Sequence, residues 1–249
     1  MRRRAILIEA ANVKRCTYIP GAEADVKNYK RYLMTTSGGA WHESEITVLS
    51  KPSSLLLVQH VNNAEALVDY LFVSFSGHGY MRRPQTNSFI SPSANDLTML
   101  CLNDSEQVPL SIINPRIRNF VIVDSCRGLE DEAILKACQE EARALYFSED
   151  IARQIFDNAV MRAEIGQSVA FSCGINESAG EDKNRGGYFS AAMMECGLNL
   201  SNRASRNTAI TVADVFKCAF SRVKTQAATQ NPDYSPGRRL CHFPFAVRG

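Results

Sequence analysis

The sequence predicts an α/β fold: a mainly parallel sheet with helices on both faces. Two observations carry this. Short apolar runs rich in β-branched and aromatic residues recur along the chain, and longer amphipathic segments alternate with them. A third, the tight small-residue loops that follow two of those runs, says where chemistry would sit, because parallel sheets present functional residues at the carboxyl ends of their strands.

Residues 5–8 form the first apolar run, a buried strand beginning almost at residue one, so no accessory domain is expected before it. Val26, Tyr29 and Leu33 then fall on one helical face, and Gly38-Gly39 closes that segment. Residues 46–49 give a second strand, ended by Pro52. Residues 53–68 give a helix interrupted at Val61-Asn62-Asn63. The third strand, 70–75, runs into Ser76-Gly77-His78-Gly79. Residues 80–98, polar and rich in Pro, Ser and Asn, read as a long surface loop. A four-residue strand at 120–123 ends in Asp124-Ser125-Cys126-Arg127-Gly128. Residues 130–162 read as helical, with a solvated face where Glu130, Asp131, Glu132, Glu140, Glu141, Glu149 and Asp150 outnumber Lys136 and Arg143. A strand at 169–172 follows. Gly186-Gly187 then introduces a helix over 188–198. The clearest amphipathic helix is 212–229, with Val212, Val215, Phe216, Ala219 and Val223 as its apolar stripe and Thr211 and Asp214 as a capping start. Residues 240–247 read as a closing strand. Neither a repeat nor a linker interrupts the pattern, so one domain over 1–249 is expected.

Composition narrows the function. Of 249 residues, 45% are hydrophobic and 22% charged, which excludes a disordered chain. The 28 Lys and Arg against 26 Asp and Glu leave +2, too little for a dedicated nucleic-acid binder. No apolar run reaches the ~18–20 residues of a membrane span. The run after Arg2-Arg3-Arg4 stops at Glu9, short of a secretory signal, so a cytoplasmic protein without membrane attachment is expected. The 8 cysteines show no C-x-x-C pair and are expected to be reduced. The 4 histidines do not cluster with them, so no metal site is expected.

His78 and Cys126 each sit in a glycine-containing loop after a strand. A thiol becomes a nucleophile near neutral pH when a base such as imidazole takes its proton. Glycines beside both residues let backbone N–H groups approach a substrate carbonyl oxygen, as an oxyanion hole requires.

Residues 72–79, Phe-Val-Ser-Phe-Ser-Gly-His-Gly, resemble the histidine strand and loop of the caspase and metacaspase superfamily, and residues 121–128 resemble its cysteine strand and loop. The two residues are about 50 positions apart, as in caspases. The resemblance extends to residues 21–33 with Asp25-Val26, to residues 170–189, to Gln230-Asn231-Pro232 and to Phe243-Pro244-Phe245-Ala246. It implies a caspase-like fold with a mainly parallel six-stranded sheet. Residues 1–129 would carry the His and Cys loops, 130–168 an inter-subunit-like helical segment, and 169–249 a small-subunit-like part. It also implies Cys126 as nucleophile, His78 as general base and acid, and the N–H groups of Gly79 and Cys126 as oxyanion hole, with no third side chain required.

The departures bear on specificity. Where animal caspases have Gln two residues before the cysteine, this chain has Asp124, as metacaspases do. The arginines that hold a substrate aspartate in the animal enzymes fall on Glu181 and near Ile19. Carboxylates in place of cations favour a basic substrate residue. Hence the expectation of a cysteine endopeptidase that cleaves after Arg or Lys, with Asp124 as pocket floor and Ser76 and Glu181 assisting. Alternatives are a catalytically idle interaction module, a protease of Asp or other specificity, and a separase-like relative, ranked lower because Arg127 follows the cysteine. Expected too are weak or no self-processing within 130–168, a monomer rather than a homodimer, a regulatory protein partner, and no cofactor. Metacaspases often use calcium, but no ligand run places such an ion.

Overall fold

The computed structural model describes residues 1–14, 16–82, 93–128 and 148–249. Its central sheet has six strands in the order β12-β8-β7-β3-β1-β2. They are β1 (Arg3–Ala10), β2 (Ile46–Ser50), β3 (Tyr70–Gly77), β7 (Arg118–Asp124), β8 (Gly166–Phe171) and β12 (Asp233–Ser235). All pair in parallel except β12, which runs antiparallel to β8. Every residue of β3 is buried, as expected of a central strand covered on both faces.

The period of two divides the strand residues between two cores. Ala5, Leu7, Tyr70, Phe72, Phe120, Ile122 and Ala170 face one cluster with α1 (Pro20–Met34), α4 (Glu149–Arg162), α5 (Tyr188–Arg203) and α6 (Val212–Gln226). Ile6, Ile8, Leu71, Val73, Phe75, Val121 and Val123 face the other, with α2 (Ser54–Leu67). A three-stranded sheet of β4 (Gly79–Met81), β5 (Thr98–Cys101) and β6 (Gln107–Pro109) completes that second side, with the short α3 (Ala94–Leu97) leading into β5. Two small pairs remain: β9 (Glu181–Asp182) with β10 (Gly186–Gly187), and β11 (Thr208–Thr211) with β13 (Pro244–Arg248).

Helices on both faces of a mainly parallel sheet agree with the sequence reading, and several details correct it. The α2 helix continues through Val61-Asn62-Asn63, because Val61 and Ala64 are buried against the sheet while the asparagines face solvent. The stretch expected to be loop from 80 to 98 holds β4, α3 and the start of β5. Its residues 83–92 lie outside the described residues, as do 130–147 of the expected acidic helix. The closing strand is Pro244–Arg248, and it pairs with β11 rather than joining the central sheet. The sixth central strand is instead Asp233–Ser235, kept to three residues by Pro236-Gly237 behind it. The expectation of uniformly reduced cysteines is also wrong: Cys196 on α5 and Cys218 on α6 form a disulfide, their Cα atoms 5.9 Å apart across two packed helices. No helix among the described residues is long and apolar enough to cross a membrane.

Candidate active site

The parity that builds the two cores also builds the site. Phe72 and Phe120 face α1 and α5, so Ser76 and Asp124, four residues further along β3 and β7, face them too. Ser76 and Asp124 are register partners at the carboxyl end of the sheet. His78 and Cys126 follow each by two residues. Met81 N donates to Gly128 O at 3.0 Å and ties the two loops together.

His78 Nε2 lies 2.6 Å from the carbonyl oxygen of Thr17. A carbonyl can only accept, so the ring carries its proton on Nε2, and in the neutral imidazole Nδ1 is the basic nitrogen. Burial lowers the pKa of His78, opposed by the Thr17 hydrogen bond, which favours the neutral, basic ring near neutral pH. A backbone carbonyl from the loop before α1 thus orients the imidazole. Nothing in the sequence marks Thr17 for this, because its side chain takes no part.

Around Cys126, which is half-buried, the chain is held from both sides. Arg127 N donates to Glu177 O at 2.9 Å, and Asn176 N donates to Arg127 O at 2.9 Å. The Arg127 guanidinium, fully buried, stacks over Phe171 at 3.9 Å from the ring centroid and donates to Cys173 O at 3.3 Å. It also pairs with Asp233 Oδ2 at 3.4 Å. Cys126 N–H has no hydrogen-bond partner among the described residues. Cys101 N donates to His78 O at 3.0 Å, which makes Gly79 and Leu100 the non-hydrogen-bonded pair of the β4–β5 ladder. Gly79 N–H is therefore turned away from β5. A Cβ on Gly79 would stand 2.5 Å from Ser125 Oγ, so only glycine fits this close to the cysteine loop.

Three carboxyl groups gather beside this pair. Asp124 Oδ2 accepts from Ser190 N at 3.0 Å and Ser190 Oγ at 2.6 Å, at the first turn of α5. Asp25, on α1, accepts from Ser76 Oγ at 2.5 Å and from Gly187 N at 2.9 Å. Glu181 Oε2 accepts from Gly21 N at 2.8 Å. None has an ion-pair partner among the described residues. Burial raises the pKa of Asp124 against its Ser190 hydrogen bonds. Burial, then the charge of Asp124, raises that of Asp25 well above the usual range. Glu181 is pushed up to about 7, mainly by burial, with the charges of Asp124 and Asp182 adding to it. Asp25 is the residue sequence reasoning did not place in the site. Its signal was present: an acid inside the apolar stripe of Val26, Tyr29 and Leu33. No group of three or more His, Cys, Asp or Glu that could hold a metal occurs among the described residues.

A family model described as "Caspase domain" matches residues 2–240. The chain belongs to the caspase-domain family. That family is one of cysteine peptidases. The caspase-domain chain is similar in structure to the crystal structure of caspase-1 from Spodoptera frugiperda, with a TM-score of 0.63 and 14% identity over 99% of this chain and 90% of that one. A search of curated proteins found no match.

Proposed function

We propose that this caspase-domain protein is a cysteine endopeptidase that cleaves polypeptides after arginine or lysine, using Cys126 and His78. Nδ1 of His78 takes the Cys126 proton, and the thiolate attacks the scissile carbonyl carbon. The N–H groups of Gly79 and Cys126 bind the oxygen that gains negative charge. The imidazolium then gives its proton to the leaving amine as the C–N bond breaks. Water, deprotonated by the same ring, releases the acyl group and restores the thiol.

The observation that carries the specificity is the set of buried carboxyl groups, Asp25 and Asp124 foremost, with no ion-pair partner among the described residues. Bringing a guanidinium into that pocket supplies the missing charge, and a planar two-pronged donor matches carboxylate geometry. A substrate aspartate would add a further negative charge to an already crowded group. Peptides differing only in the residue before a fluorogenic amide test this. Arg and Lys peptides are expected to be turned over and the Asp peptide not; preferential cleavage after Asp would refute the proposal. Cys126→Ala should abolish all turnover.

A further inference from the structure

The helix α1 lacks a cap of its own. Ile19 at its N-cap offers no side-chain acceptor, and Pro20 has no N–H, so Gly21 carries the first free donor of the helix. Glu181 fills that place from 160 residues away in sequence, with Oε2 at 2.8 Å from Gly21 N. A carboxylate is well placed there, since a helix N-terminus carries partial positive charge.

This contact is one of three along a single face of α1. Gly21, Asp25 and Asn28 stand at i, i+4 and i+7, and each grips the short hairpin of β9 and β10. Gly21 N holds Glu181, Asp25 holds Gly187 N at 2.9 Å, and Asn28 Nδ2 donates to Arg185 O at 3.0 Å. The hairpin needs such anchors because its two strands have two residues each. It ends at Gly187, whose backbone packs against the Asp124 carboxylate so closely that a Cβ would collide with it. The hairpin is therefore the wall that sets the spacing of Asp25 and Asp124.

We propose that Glu181 is a positioning residue, whose carboxylate caps α1 from across the chain and fixes the hairpin that forms the pocket wall. The cation of the substrate residue is left to Asp25 and Asp124. This rests on the basic specificity proposed above and narrows it from three acids to two. It also explains Gly21. A Cβ there would meet the Glu181 carboxyl group, and the residue lacks a positive φ, so close approach is what requires the glycine.

Two substrates and three variants test the assignment. The substrates end in arginine or in citrulline, its uncharged counterpart. The variants are Glu181→Gln, which keeps an acceptor for Gly21 N, Glu181→Ala, which removes it, and Gly21→Ala, which displaces Glu181 without changing any charge. A positioning role predicts that Glu181→Ala and Gly21→Ala lose kcat/KM together, about fivefold to tenfold, the size of a lost helix cap. The loss appears in KM, the arginine-to-citrulline ratio holds, and Glu181→Gln recovers most of the activity. Direct contact with the substrate cation predicts the reverse: the ratio collapses in Glu181→Gln and survives in Gly21→Ala. That result, or full activity in Glu181→Ala, would overturn the assignment. Should the unaltered enzyme not distinguish arginine from citrulline, the basic-pocket reading fails instead. The positioning role is then still judged by whether the Ala variants fall together on whichever peptide is cut.

Discussion

The two ends of the central sheet bury acids in opposite ways. At the amino end, Arg3 is buried between Glu45 and Asp157, 3.4 Å and 3.0 Å away, and its remaining donors reach Gly39 O and Ala40 O. Arg153 pairs with Glu45 as well, the chain amino group lies 3.7 Å from Asp157, and Trp41 stacks on Arg3. Each carboxylate there has a cation. At the carboxyl end, Asp25, Asp124 and Glu181 have only hydroxyl and amide donors among the described residues. One cluster is finished by the fold; the other has no cation among the described residues. Buried charge that is left incomplete costs stability, and a protein keeps it where a ligand completes it.

The largest expected effect breaks the incomplete cluster. Asp124→Asn should lower kcat/KM for arginine peptides by roughly 100-fold or more, as for a desolvated charge pair that loses one partner. Steady-state kinetics with the arginine and citrulline peptides measures it, and an unchanged ratio would remove Asp124 from the pocket. Next comes the finished cluster. Arg3→Met removes the cation that Glu45 and Asp157 share, leaving them Arg153 and the chain amino group. It should cost about 3 kcal/mol of stability in a urea melt, the lower end for breaking a buried pair, with activity per folded molecule retained.

Asp25→Asn should do the opposite of Arg3→Met, abolishing arginine cleavage while raising Tm by a few degrees, about 2–4 °C. The sign follows from the raised pKa. The ionised form is disfavoured in the folded state, so the gain is greatest at alkaline pH and shrinks as pH falls through the folded value. The smallest effect is a difference in slope. Glu181, at about 7 in the fold, contributes stability that is lost as pH rises through that value, and Glu181→Gln should flatten that limb. Glu45 has its pKa lowered, since Arg153, the His42 amide and Arg3 together overcome burial. Its contribution is present above the usual carboxylate range and lost on acidification, so Glu45→Gln should flatten only the acid limb. Stability curves across pH for the two variants check both slopes.

Much of the fold could be read from the sequence because buried parallel strands are continuous apolar runs and their helices carry regular stripes. The apolar strands at β3 and β7 and the stripe of α6 are of this kind, and Thr211 does accept from Asp214 N at 3.2 Å. The β12 strand was not legible, since Asp233 and Ser235 are exposed, Tyr234 is half-buried, and three such residues before Pro236 carry no apolar pattern. The β4–β6 sheet was hidden by its polar surroundings. The same divide runs through the site. His78, Cys126 and Asp124 end strands and stand out locally. Thr17 acts through its backbone, Asp25 needs the placement of α1 over β3, and Glu181 meets Gly21 only once the chain has folded.

The central claim is that Asp25 and Asp124 form an unpaired acidic pocket that a substrate cation completes. The most direct test is the ratio of kcat/KM for two peptides identical except for arginine or citrulline before the scissile bond. A preference for arginine of about 100-fold or more is expected. Equal turnover of the two, or faster cleavage of the corresponding aspartate peptide, would contradict it.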